Sequence, residues 1–202
     1  MIKNTANIIS LLFHPLLGPT YGMLFLLNSG SYFSFIPNDA KLIVYLITFI
    51  GTFVLPLTFM PFFLYKKIIK NITMNVRKER IIPLLITSLA FYFTYFTISR
   101  LPIPTFMNKF FLYSSIIVLI SLLITLKWKI STHLIGLGSF TGFVLYTGIK
   151  YGLDISNFLI LVFLISGITA SARLYLKAHT NLQVYIGFLT GLFSALIFFW
   201  LL

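Results

Sequence analysis

Cysteine is absent from this 202-residue chain, and acidic residues nearly so: Asp39, Glu79 and Asp154 are the only three. Charged side chains of both signs amount to 9% of the residues, against about a quarter in an ordinary soluble domain. The first absence excludes thiolate metal sites, iron–sulfur clusters, a cysteine nucleophile and a disulfide scaffold. The scarcity of charge excludes a soluble globular enzyme and a disordered chain. The strict alternation of a barrel strand is missing as well, which leaves helices. What is present is apolar surface, with 59% hydrophobic residues, and a strong positive bias, with 15 Lys and Arg giving a formal net charge of +12. Nucleic-acid modules present a soluble basic face, and a chain this apolar has none to offer. Anionic lipid head groups are the partner that fits, and the composition is that of an integral membrane protein.

Seven apolar stretches run along the chain: Ile8–Leu27, Leu42–Leu64, Ile81–Ile98, Phe110–Leu126, Leu134–Ile149, Phe158–Tyr175 and Leu182–Leu202. Most reach the ~17–25 residues that a spanning helix requires. The expectation is an all-α, polytopic transmembrane bundle of about six to seven helices, forming a single membrane domain over residues 1–202 with no soluble domain or long linker. The fifth stretch is short and carries Gly136, Gly138, Gly142 and Gly148. The first is interrupted by His14-Pro15 and Gly18-Pro19 and lacks an A-x-A cleavage pattern, so it reads as a retained, kinked helix rather than a signal peptide. Gly138-x-x-x-Gly142 and Gly187-x-x-x-Gly191 read as close-packing surfaces.

If seven helices span, the N-terminus and the loops after the second, fourth and sixth share one side. Eleven of the fifteen basic residues fall there: Lys3, Lys66, Lys67, Lys70, Arg77, Lys78, Arg80, Lys127, Lys129, Arg173 and Lys177. Lys41, Arg100, Lys109 and Lys150 fall on the other. The positive-inside rule then sets the N-terminus in the cytoplasm, and the expected location is a bacterial cytoplasmic membrane. The same parity brings Arg77 and Arg80, Ser131-Thr132-His133, and Arg173 with His179 to one membrane face. Ionisable groups at helix ends often serve only as snorkelling anchors, which accounts for Lys66 and Lys67. It does not account for three polar clusters, distant in sequence, sharing a face.

The run from Ser171 to Gln183 (Ser-Ala-Arg-Leu-Tyr-Leu-Lys-Ala-His-Thr-Asn-Leu-Gln) resembles the third motif of the membrane type-2 phosphatidic acid phosphatases, relatives of the bacterial acid phosphatases and vanadium haloperoxidases. That motif reads Ser-Arg, five residues, His, three residues, Asp. Arg173, the spacing and His179 match, while Ala172 replaces the serine and Gln183 the aspartate. Ser131-Thr132-His133 resembles the second motif, Pro-Ser-Gly-His, with Ile130 and Thr132 in place of Pro and Gly. Lys70 and Arg77 have the spacing of the first motif (Lys, six residues, Arg-Pro) without its proline, and Arg80 with Pro83 offers another alignment. The resemblance covers roughly Lys70 to Gly191.

The resemblance implies a metal-independent lipid phosphate or diphosphate phosphatase. His179 would take up the phosphoryl group as a phosphohistidine, and His133 would protonate the leaving group. Arg77, Arg80, Arg173, Ser131 and Lys70 would hold the phosphate, for guanidinium forks suit its oxygens and catalysis of this kind is mainly electrostatic positioning. Gln183 would orient His179 without the charge of the family's aspartate; in a serine-protease triad the equivalent acid-to-amide change costs about 10⁴ in rate. Glu79 either compensates for that loss or pairs with Arg77 or Arg80, and pairing is the expected role. No cofactor and no protein partner is implied. A non-catalytic lipid-phosphate binder and a small transporter are the competing classes. His14 reads as an intramembrane imidazole satisfied by a neighbouring helix. A zinc site on the three histidines and Glu79 lacks any H-E-x-x-H-like spacing.

Overall fold

The computed structural model describes residues 2–74 and 76–201, and the described chain is helical. The helices are α1 (Ile2–Leu12), α2 (Gly18–Asn28), α3 (Asn38–Phe49), α4 (Leu55–Thr58), α5 (Met60–Tyr65), α6 (Ile81–Ile98), α7 (Thr105–Lys127), α8 (Thr132–Tyr151), α9 (Ser156–Tyr175) and α10 (Asn181–Leu201). Six segments are long and apolar enough to cross a membrane: Ile2–Asn28, Asn38–Tyr65, Arg77–Ile98, Thr105–Lys127, Ser156–Tyr175 and Asn181–Leu201. The protein is a polytopic helical membrane protein. α8 is not among the six, although it is 20 residues long and outlasts the Leu134–Ile149 run at both ends. Its glycines, threonines, His133 and single serine lower its hydropathy, and most of its residues are buried against protein.

The chain divides into two compact units. One comprises Met1–Gly18, Phe25–Phe35 and Ile130–Leu202; the other comprises Pro19–Leu24 and Ile36–Lys129. The apolar runs contain no signal for this boundary, because both units are built from the same kind of helix.

In the first unit α8 and α10 make the closest helix pair, and the two small-residue motifs meet there. A Cβ added at Gly138 would run into the Phe188 carbonyl, and one at Gly191 into the Ile135 carbonyl. Backbone against backbone is what small-xxx-small surfaces permit in a membrane, where lipid tails are as apolar as leucine and packing must supply the association energy. α8 stops at Gly152, whose φ of 63° provides the left-handed residue that ends many helices. The Asp154 carboxylate then accepts the Ser156 N–H at 3.1 Å before α9, and that bond holds its pKa below the usual value.

In the second unit α6 and α7 are clasped by a reciprocal pair: the Ser88 hydroxyl donates to the Ser115 carbonyl at 3.3 Å, and the Ser115 hydroxyl to the Ser88 carbonyl at 3.1 Å. Between α3 and α4 the helix widens to a π-turn over Ile50–Val54, one residue short of Pro56, which has no N–H to continue the regular ladder.

Candidate functional site

The site is built from a helix break. Pro15 has no N–H and cannot continue α1, so the Leu11 carbonyl is taken by the His14 N–H at 3.2 Å. The Ser10 carbonyl, which a longer helix would have given to that N–H, is left for another donor. It is taken from across the unit: His133 Nε2 lies 3.1 Å from it. A carbonyl can only accept, so His133 carries its proton on Nε2 and its lone pair on Nδ1.

His14 itself opens the 3₁₀ turn Pro15–Leu17. Its backbone is extended (ψ 135°), and its Nδ1 accepts the Leu16 N–H at 3.3 Å. Nδ1 is therefore the unprotonated nitrogen and Nε2 bears the hydrogen. The turn seats on α8, where Gly136, one turn beyond His133, lies against Pro15; a Cβ there would be 3.6 Å from the proline's. The His14 and His133 rings meet edge to face with centroids 5.4 Å apart.

The His179 segment is arranged by a capping box at the start of α10. The Thr180 hydroxyl accepts the Gln183 N–H at 3.5 Å, and Gln183 Oε1 accepts the Thr180 N–H at 3.3 Å. The same Oε1 lies 3.0 Å from His179 Nδ1. Because a backbone N–H already fixes that amide atom as the acceptor, the His179 Nδ1 must be the donor, and its lone pair is on Nε2. The signal for this role was in the sequence, since Thr-Asn-Leu-Gln before an apolar run is a helix-start pattern.

Ser131 joins the two segments. Its N–H donates to the Gln183 carbonyl at 3.4 Å, and its carbonyl approaches Gly187, where a Cβ would crowd it. It is the residue before α8, a position at which serine usually accepts a hydrogen bond from the first turn. Here the side chain makes no such bond; the residue is fully buried and its hydroxyl oxygen has no partner. Arg173, in the last turn of α9, also keeps a buried Nε without a partner. Its guanidinium is close enough for its charge to act on both His14 and His133, and His179 also acts on His133.

The structure thus brings Ser131, His133, Arg173, His179 and Gln183 together in one unit with His14, which was expected only as an imidazole satisfied by a neighbouring helix, and adds the Ser10 carbonyl, which sequence reasoning missed. The other expected residues lie in the second unit. Arg77 opens a 3₁₀ turn, Arg77–Arg80, that leads into α6, and its Nη1 donates to the Leu126 carbonyl at 2.6 Å. Arg80 is buried, with Nε on the Met74 carbonyl at 3.0 Å. Glu79 is buried, makes no ion pair with either arginine, and its Oε2 has no partner. The expected pairing is not made because both guanidinium groups reach backbone carbonyls instead. Lys70 is exposed in the loop after α5. Among the described residues no group of three or more His, Asp or Glu side chains is placed to hold a metal ion.

Comparison of the chain with protein families, with curated proteins and with solved structures finds no match in any of the three.

Proposed function

We propose that the first unit binds the phosphate of an anionic lipid and hydrolyses it through a phosphohistidine on His179. The observation that carries this reading is the tautomer of His179. Gln183 Oε1, held by the Thr180 N–H, accepts the Nδ1 proton and leaves the lone pair on Nε2, as nucleophilic attack on phosphorus requires. Arg173 and the Ser131 hydroxyl, in the same unit, offer donors to the phosphate oxygens, and the first-turn N–H groups and helix dipole of α8 favour an anion.

In the first step His179 Nε2 bonds to phosphorus and the bond to the leaving oxygen breaks. That oxygen takes a proton from His133 Nδ1, which is protonated only once the phosphate anion is bound, while the Nε2–H stays on the Ser10 carbonyl. In the second step water attacks the phosphohistidine, gives its proton to His133 Nδ1, and phosphate leaves. Lipid diphosphates and phosphate monoesters fit the scheme equally, and the basic bias of the loops supports a site facing the cytoplasmic leaflet of a bacterial membrane. Arg77, Arg80 and Lys70 remain phosphate-binding candidates from the motif resemblance, though the scheme uses none of them.

A second reading, a binder without catalysis, is favoured by one observation. Gln183 carries no charge to stabilise the cationic ring that forms as His179 takes up phosphoryl. Phosphate release by the purified protein, measured on a panel of phosphatidic acid, phosphatidylglycerol phosphate and polyprenyl diphosphate, decides between them. Turnover that vanishes in His179→Ala supports the enzyme. Head-group binding without release from any substrate supports the binder.

A further inference from the structure

His14 stands at the break in the first membrane segment and opens the 3₁₀ turn Pro15–Leu17. We infer that it is a further member of the phosphate site, presenting Nε2–H to an oxygen of the bound anion as an uncharged donor. This rests on the reading of the first unit as a phosphate site, and it assigns a residue to which the motif resemblance gives no role.

Three observations carry it. The first is the fixed tautomer. Leu16 N–H occupies Nδ1 at 3.3 Å, so a second ring proton has no room there and the ring's only N–H is at Nε2. That N–H makes no hydrogen bond among the described residues. The second is position. The ring lies edge to face with His133 at 5.4 Å and within range of the Arg173 charge, so it stands beside two groups of the proposed chemistry. The third is how firmly it is held. The Pro15 ring rests on Gly136 of α8, and the Ser10 carbonyl, four residues before His14, anchors His133. The helix break therefore positions both imidazoles with one backbone turn.

The chemistry follows from the charge. A second cation beside Arg173 would repel it when no ligand is bound, whereas a neutral N–H adds a hydrogen bond to the anion without that repulsion. With Nδ1 occupied, His14 cannot shuttle a proton, so its part is to bind and orient a tetrahedral oxyanion. Capping the 3₁₀ turn is the competing role, and the two ring nitrogens separate the roles. His14→Asn keeps an acceptor at the Nδ1 position and restores a good cap, but loses the Nε2 donor. His14→Gln keeps a donor near the Nε2 position and loses the cap.

The test uses the full chain, ¹⁵N-labelled at histidine, in nanodiscs of phosphatidylcholine. Inorganic phosphate is titrated, with ring-nitrogen shifts and the Kd as readouts. A parallel set of discs contains phosphatidic acid and no free phosphate. The expected result is an Nε2–H tautomer for His14 before titration and a shift of that nitrogen on saturation. The Kd should rise about 10-fold or more in His14→Asn and less than about 3-fold in His14→Gln, the loss being that of one hydrogen bond to a charged group. A shift in the phosphatidic acid discs identifies the lipid head group as a source of the anion; a shift with free phosphate alone identifies the soluble ion.

If His14→Asn binds as wild type does, the residue is only a cap and the inference falls while the phosphate site stands. The same holds if wild-type His14 nitrogens stay unmoved while His133 and the Kd of Arg173→Ala respond; this arm needs no His14 variant to fold. If wild type binds phosphate in neither set of discs and Arg173→Ala changes nothing, the phosphate site and this inference fall together.

Discussion

In the second unit, Arg77 reaches the Leu126 carbonyl at 2.6 Å and Arg80 the Met74 carbonyl at 3.0 Å, so both guanidinium groups satisfy helix-end and loop backbone. In the first unit, Arg173 ends α9 with a buried Nε that no protein atom meets, and the fully buried Ser131 of the same unit has a hydroxyl that is likewise unmet. Both units face the same problem, a cation at the end of a membrane helix. A guanidinium has five donors, and directing one at an orphaned carbonyl is the stabilising answer. A buried donor left unsatisfied costs about 1–3 kcal/mol, so a protein that keeps one has a ligand to offset it or carries a standing loss of stability. The second unit also keeps unmet buried oxygens, on Glu79 and Thr20, but its arginines are satisfied, and that contrast between the arginines is what favours the first unit for the candidate site.

Variants can break or sharpen the contrast, beginning with the largest effect. His179→Ala should reduce phosphate release by about 10⁴-fold or more, because it removes the group to which phosphoryl is transferred. A smaller loss, measured on the best substrate of the panel, would remove His179 as nucleophile. Gly191→Val tests the scaffold, since its side chain would meet the Ile135 carbonyl and the Ser139 N–H. Forcing α8 and α10 apart should lower stability by about 3 kcal/mol, seen as a fall in Tm in detergent. An unchanged Tm would show that this crossing yields without cost.

Arg173→Lys should lower turnover about 10²-fold, because an ammonium keeps the charge and loses the planar fork. Equal activity in wild type and Arg173→Ala would make this arginine an interface anchor, and the contrast between the units would disappear. Gln183→Glu should raise turnover about 10-fold. The longer acid preserves the capping box with Thr180 and supplies the charge that the forming imidazolium lacks. The gain should vanish in a His179→Ala background. A fall in turnover would mean that the site is shaped for the amide. Arg77→Ala should cost about 1 kcal/mol of stability, the worth of one hydrogen bond to the Leu126 carbonyl. A loss of phosphate affinity larger than its loss of stability would return Arg77 to the phosphate-binding role that the motif spacing suggested.

The legible parts of the sequence were those with a local cause. Apolar runs near 20 residues marked the helices, His14-Pro15 marked the break in the first, and the glycine motifs marked α8 and α10 as close-packing helices, though not as each other's partner. Ser131, His133, Arg173 and His179 stood out as polar groups at helix ends. Gln183 was legible as a partner of His179, but its part in a capping box was overlooked, although Thr-x-x-Gln spells it. The pairing of Glu79 with the arginines beside it was misjudged for a different reason: adjacency in sequence suggests an ion pair, and a four-residue 3₁₀ turn does not oblige its side chains to face one another.

The sequence by itself determined that this chain crosses a membrane as helices, because backbone groups in lipid must be satisfied within each segment and apolar length is a property of the segment alone. It also determined which few residues could do chemistry, because so few are polar. Only the tertiary structure decided which nitrogen of His133 carries the proton, whereas His14 and His179 are set by partners two and four residues away. His133 is set by a carbonyl 123 positions away, exposed by a proline that broke another helix, and a hydrogen bond between such distant residues leaves no trace in local composition or spacing.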